Sequence, residues 1–321
     1  MSRGDSRAGA SALSRIRSGV VWTPPTLKIG STHIDDTFAE AFGMRYTRII
    51  VTAHDAFWLE AAIREVTGYA SSVISCDAEA GLERHLESVQ TPDGRPGASI
   101  LFFGFSAEPL GKAVANRVGQ CLMTCATTAV FDGLESSQTR VPLGRHLRFF
   151  GDGFQKAKVI GPRRYWRVPV MDGEFLVIDD IGIERGVAGG NFIIESRGLE
   201  AGLVAARAAV DSIAELPGVI TPFPAGVVRS GSKVGSRYSR LRASTNDSFC
   251  PTLRGRTATR LHPDADCAYE IVMNGIDEAT VRGAMGIAIR AAVGPDVVQV
   301  SAGNYGGNLG KYRLALHEVL S

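Results

Sequence analysis

Glu270 is the residue of this chain whose neighbours would most change its chemistry. It stands in Ala268-Tyr269-Glu270-Ile271-Val272-Met273, an apolar run with the pattern of a strand. A carboxyl group held among such side chains is desolvated, and desolvation raises its pKa toward neutrality. A carboxylic acid that keeps its proton near pH 7 donates a hydrogen bond to an oxygen that becomes negative during a reaction. The alternation leaves a second possibility open: Ala268, Glu270 and Val272 share one side of the strand, and that side could face water.

Three glycine-rich segments lie in the same half: Val187 to Asn191, Ser230 to Ser236, and Ala302 to Lys311. Such runs bring backbone N–H groups close to a ligand and permit positive φ, so each could cradle an anion or a flat polar ring. None is a nucleotide fingerprint, because Lys233 follows Gly231 without the P-loop spacer and no G-x-G-x-x-G follows a strand. Tight turns would explain any one of them; three together, two with a lysine, point to a ligand cleft. The six histidines show no H-E-x-x-H spacing and Cys121-x-x-x-Cys125 has no second pair, so no metal site is expected and the thiols read as structural. Gly104-Phe105-Ser106 lacks a glycine two residues on, which argues against a serine nucleophile.

Those residues need a scaffold, and 321 residues with 45% hydrophobic content suffice for two lobes. A net charge of +2 disfavours nucleic acid and anionic membranes as partners. Only six of the 35 basic residues are lysine, a bias toward arginine that fits a GC-rich genome. Five cysteines without framework spacing fit a reducing cytoplasm, and the only apolar patch before Gly30, Val20 to Trp22, is too short for a signal segment. Residues 1–26 are expected to be a flexible extension.

Arg48 to Thr52 reads as a strand, His54 to Thr67 as a helix ending at Gly68, Ser72 to Ser75 as a strand, Ser99 to Phe105 as a buried strand and Pro109 to Val118 as a helix. The first half thus has the order β-α-β-β-α-β. In the second half a shift of 78 residues lays Ile193 on Ile271, Glu200 on Glu278 and Pro217 on Pro295. One copy offers a helix stripe of Leu203, Ala206, Val210 and Ile213, the other Val281, Met285, Ala288 and Ile289. Paired β-α-β units of this kind build an α+β fold of two ferredoxin-like split β-α-β lobes with antiparallel or mixed sheets. The expected lobes span 27–150 and 151–321.

Longer strings then add a family resemblance. Ile34 to Phe42 (IDDTFAEAF), Thr91 to Gly97 (TPDGRPG), Thr221 to Pro224 (TPFP), Cys250 to Leu253 (CPTL) and Ser301 to Lys311 (SAGNYGGNLGK) resemble formylmethanofuran:tetrahydromethanopterin formyltransferases, from about Leu27 to the C-terminus. The resemblance implies two ferredoxin-like lobes per subunit, homotetramers, and direct formyl transfer from a furan carrier amide to N5 of a reduced pterin. It implies no metal, no covalent acyl-enzyme and no cofactor beyond the two substrates. The family's catalytic carboxylate lies in a Tyr-Glu-Ile-Val segment, which falls on Glu270. Within that frame Gly189, Gly190, Asn191, Asn304, Tyr305, Gly306 and Gly307 are expected to meet substrate, with Lys233, Arg237 and Lys311 holding anionic tails. Near-neutral charge and the extra N-terminal residues resemble the bacterial branch, whose methylofuran-using members work with other subunits of a formyltransferase/hydrolase complex. The rival expectation is a non-catalytic pterin-binding or scaffold subunit of such a complex.

Overall fold

The computed structural model describes residues 27–321; the expected extension over residues 1–26 lies outside the described residues. In chain order the elements are β1 (Leu27–Ile29), β2 (Thr32–Ile34), β3 (Phe38–Thr52), α1 (Ala56–Thr67), β4 (Glu79–Leu86), β5 (Gly97–Gly104), α2 (Ala107–Arg117), β6 (Ala129–Asp132), β7 (Thr139–Pro142), α3 (Gly144–Leu147), β8 (Lys156–Ile160), β9 (Arg163–Val170) and β10 (Gly173–Ile178). They continue as β11 (Asp180–Ser196), α4 (Leu199–Ile213), β12 (Val219–Ile220), β13 (Val227–Val228), β14 (Lys233–Val234), β15 (Ala243–Ser244), β16 (Cys267–Gly275), α5 (Glu278–Ala292), β17 (Val297–Ser301), β18 (Tyr312–Ala315) and α6 (Leu316–Val319).

Two strands organise this α/β architecture. β3 and β11, 15 and 17 residues long, run antiparallel through Glu184↔Tyr46 to Ala188↔Phe42 and join everything but β14 and β15 into one large mixed sheet. Around β3 the order is β4-β5-β3-β6, all antiparallel, and around β11 it is β13-β16-β11-β17, again antiparallel. Local chemistry sets the helix ends. Asp55 caps α1 by accepting from the Trp58 N–H at 3.2 Å, and Asp277 caps α5 by accepting from the Thr280 N–H at 2.8 Å.

Two apolar cores lie against this sheet. One joins Ile49, Phe102, Val114 and Phe131 with Trp166, Val177 and Ile183; the other joins Ile34, Ala39 and Ala41 with Phe192, Ile271, Met285 and Leu314. Packing therefore does not change at residue 150, where the lobes were expected to part. β9, β10 and the start of β11 belong with the first core, because β10 pairs in parallel with β6, and residues 34–41 belong with the second.

Most of the expected element spans agree with the structure, with two corrections. Ser72 to Ser75 is a turn, since the Ser72 carbonyl accepts from both the Ser75 and Cys76 N–H groups; the strand that follows is β4. The stripe Leu203, Ala206, Val210, Ile213 is only half buried. Leu203 is 49% exposed, and α4 instead turns Gly202, Ala205, Ala206 and Ala209 inward, small residues that let it approach its neighbours closely. The α5 stripe of Val281, Met285, Ala288 and Ile289 is wholly buried.

Candidate functional site

β16 alternates as its sequence requires: Tyr269, Ile271 and Met273 point into the second core, while Ala268, Glu270 and Val272 lie on the opposite side. That side does not face open water. Glu270 and Val272 line a cavity of about 550 Å³ walled by Phe42, Met44, Phe105 and Phe223, with Tyr305, Ser230 and Ser232 as polar edges. A second cavity of about 200 Å³, lined by Asn246, Asp247, Ser248 and Arg260, opens beside it. Glu270, Asn191, Ser232 and Tyr305 line both, so the carboxyl stands where the two spaces meet.

The surround decides its proton. Glu270 keeps a partial opening onto the cavities, yet protein atoms crowd its carboxyl so closely that burial pushes its pKa up to about 7. Among the described residues no hydrogen-bond donor or cation offsets that burial. Gly303 packs beside it: a methyl group there would sit in ordinary contact with Glu270 Oε1 at 3.4 Å and tightly against Asn191 Oδ1 at 3.1 Å. Asn191 holds Gly303 there from both sides. Its Oδ1 accepts from the Gly303 N–H at 2.7 Å, and its Nδ2 donates to the Gly303 carbonyl at 3.1 Å. Burial and the charge of Glu270 both push the Tyr305 phenol up, so it stays a neutral donor at the cavity edge.

The loop from Ala302 to Lys311 is arranged differently from expectation. Its N–H groups converge on a carboxylate of the chain itself: Glu40 accepts from Tyr305 at 2.7 Å and Gly307 at 2.9 Å, and from Leu309 and Gly310. Burial alone would raise the pKa of Glu40, but these four donors outweigh it and hold the group below its ordinary value. The anion cradle read in the glycines is therefore real, and its anion is Glu40. Gly306 and Gly307, each at φ +74°, shape that cradle and line neither cavity.

Of the other expected residues, Gly189, Asn191, Asn304 and Tyr305 do line the cavities. Lys233 lines the smaller one, already paired with Asp247 at 2.7 Å. Gly190 points away from the site, since a side chain there would overlap Val281 in α5. Arg237 and Lys311 are exposed and line neither cavity; Lys311 lies 5.3 Å above the Tyr312 ring. Arg260, whose guanidinium stacks 5.0 Å from the Phe249 ring, is the cavity cation that the sequence did not single out. Nothing in its local pattern marks it, because a long loop brings it to β16 from outside the sheet.

Residues 27–170 match the family model described as formylmethanofuran-tetrahydromethanopterin formyltransferase, and residues 173–319 match that of its proximal lobe. A formyltransferase of that name from Methylobacillus flagellatus is 52% identical over 300 residues, covering 91% of this chain and 99% of its own. Its counterpart from Methanosarcina mazei is 47% identical over 296 residues, covering 91% and 100%. The solved formyltransferase from Methanosarcina barkeri superposes with a TM-score of 0.87 at 46% identity, covering 91% of this chain and 100% of that one. A chain of the formyltransferase/hydrolase complex from Methylorubrum extorquens, solved with methylofuran, gives 0.89 at 44% identity, covering 92% and 99%.

Proposed function

The chain belongs to the formylmethanofuran–tetrahydromethanopterin formyltransferase family and moves a formyl group between those two carriers, and we propose that protonated Glu270 is the group that steadies the oxyanion of this transfer. The observation that carries the proposal is the seat of Glu270: a carboxyl without a hydrogen-bond partner among the described residues, at the junction of two cavities.

One carrier occupies each cavity. The N5 amine of the pterin attacks the formyl carbon, the carbonyl π electrons move to oxygen, and the tetrahedral intermediate presents a negative oxygen to the Glu270 O–H. Collapse of that intermediate breaks the bond to the furan-side amine, which leaves with the proton that N5 gives up. Holding both carriers in line removes most of the entropic barrier, and a donor already aimed at the oxygen needs no reorganisation. Tyr305, Asn191 and the bulge at Gly189 bound the reaction space, and Lys233 and Arg260 supply the positive charge of the smaller cavity. The two carriers suffice without metal or cofactor.

Each lobe is a ferredoxin-like split β-α-β unit in this account, supported by the strand orders β4-β5-β3-β6 and β13-β16-β11-β17 with two helices packed on each. The subunit assembles as a homo-oligomer, a tetramer by family resemblance, and works in the cytoplasm; its partnership with hydrolase subunits is supported by the solved Methylorubrum formyltransferase/hydrolase complex. No helix among the described residues is long and apolar enough to cross a membrane. The test is direct: purified protein mixed with formylated furan carrier and reduced pterin should yield N5-formyl product. A protein that binds pterin yet gives no product with active substrates is a scaffold, and the account fails.

A further inference from the structure

The larger cavity holds a second buried carboxyl that the chemistry above leaves unused. Glu79, the first residue of β4, is 7% exposed and has both oxygens engaged: Oε1 accepts from the Val73 N–H at 3.0 Å and Oε2 from Asn274 Nδ2 at 2.6 Å. Fully buried Asn274 lies two residues beyond Val272 on the cavity side of β16, and its Oδ1 accepts from the Gly189 N–H at 3.0 Å. The amide has one sensible orientation, nitrogen toward the carboxylate and oxygen toward the N–H. Gly189 is the bulge of β11, at φ +87°, and its carbonyl accepts from Asn191, which grips Gly303 beside Glu270. Val73 and Gly189 line the cavity from different lobes.

We propose that Glu79 is a positioning residue for formyl transfer: through Val73 and Asn274 it sets the spacing of two cavity walls and so seats the substrate against Glu270. The inference rests on the formyltransferase account. A buried carboxyl is a costly way to add stability, since well-packed apolar groups do as well; what it adds is direction, because its two oxygens require donors at fixed places.

The design of the network supplies its own test. In Glu79→Gln the new amide nitrogen must face a donor, either the Val73 N–H or Asn274, and turning Asn274 over only moves the conflict to Gly189. In Glu79→Gln/Asn274→Asp the carboxylate moves to position 274, where it accepts from the new amide and from the Gly189 N–H, while the amide oxygen accepts from Val73. All three bonds return at unchanged charge. The single variant should lose at least about tenfold in kcat/KM, as small misplacements of a bound substrate do, and the double variant should recover to within about threefold. The pH midpoint set by Glu270 should not move in the double variant. Glu79→Gln within about twofold of the natural protein overturns the proposal, as does a double variant that fails to recover, folded or not. A natural protein that transfers no formyl group sinks the parent account, whereas an active one indifferent to these changes sinks this inference alone.

Discussion

Glu270, in the role proposed for it, owes its chemistry to its surroundings. Burial lifts its pKa to about 7, so the proton required for oxyanion donation is present near neutrality and lost above it. Glu270→Gln should keep both carriers bound and lower kcat by about 100-fold or more, the loss typical of an oxyanion donor; single-turnover kinetics with binding measured separately will decide, and an unchanged rate removes Glu270 from the mechanism. The same proton has a stability signature. The folded chain raises this carboxyl above its ordinary 4.5, so its neutral form is the favoured one in the fold. The natural protein should therefore lose stability relative to Glu270→Gln as pH rises from about 4.5 through about 7, by at most about 3 kcal/mol. Tm differences between the two proteins at pH 5 and pH 8 will show it, the variant gaining at the higher pH. Glu195, also raised to about 7 by burial against the opposing donors His262 and Gln299, gives the same sign in both proteins and cancels in the comparison.

At the scale of elements, the loop from Ala302 to Lys311 is folded around a charge rather than around apolar contacts. Glu40, the third residue of β3, occupies the loop's N–H groups as a bound anion would. Glu40→Gln leaves fewer acceptor sites and sets an NH₂ against N–H donors. Denaturant unfolding should register a loss of about 3 kcal/mol or more, with a raised KM because Tyr305 is carried by the same loop. Normal KM with full stability would show that the loop holds its shape by other means. The carboxylate's lowered pKa sets the pH sense: this stabilisation is complete above its ordinary value and fades as pH falls below it.

The whole molecule is two cores joined by shared strands and a few buried polar clasps. Glu83 of β4, 2% exposed at its side chain, takes a bidentate pair from Arg48 at 2.6 and 2.7 Å and accepts from Ser99, all in the first lobe. It also accepts from the Gly218 N–H of the second lobe at 2.6 Å. Burial opposes its charge, but Arg48 and these donors hold its pKa below the ordinary value. Glu83→Ala strands Arg48 without its partner and should cost about 3–5 kcal/mol. Because β3 and β11 pass through both lobes, the loss should shift one cooperative unfolding transition, and calorimetry that instead separates two transitions would show the lobes to be independent.

Side-chain order alone determined the elements with strong local periodicity: the α5 stripe, the end of α1 at Gly68, and the alternation of β16 that sets Glu270 opposite Tyr269 and Ile271. It also marked the loop at Ala302 as a place where N–H groups gather, since a glycine-rich run is visible in sequence. Only tertiary structure decided what those groups bind, because Glu40 reaches the loop from 265 to 270 residues away, beyond any local pattern. Charge is legible in a sequence, but its address is not: Lys311 and Arg237 lie outside both cavities and Arg260 lines the smaller one. Glu270's own neutrality belongs to both levels, the apolar run being local and the larger cavity on its open side being assembled from both lobes.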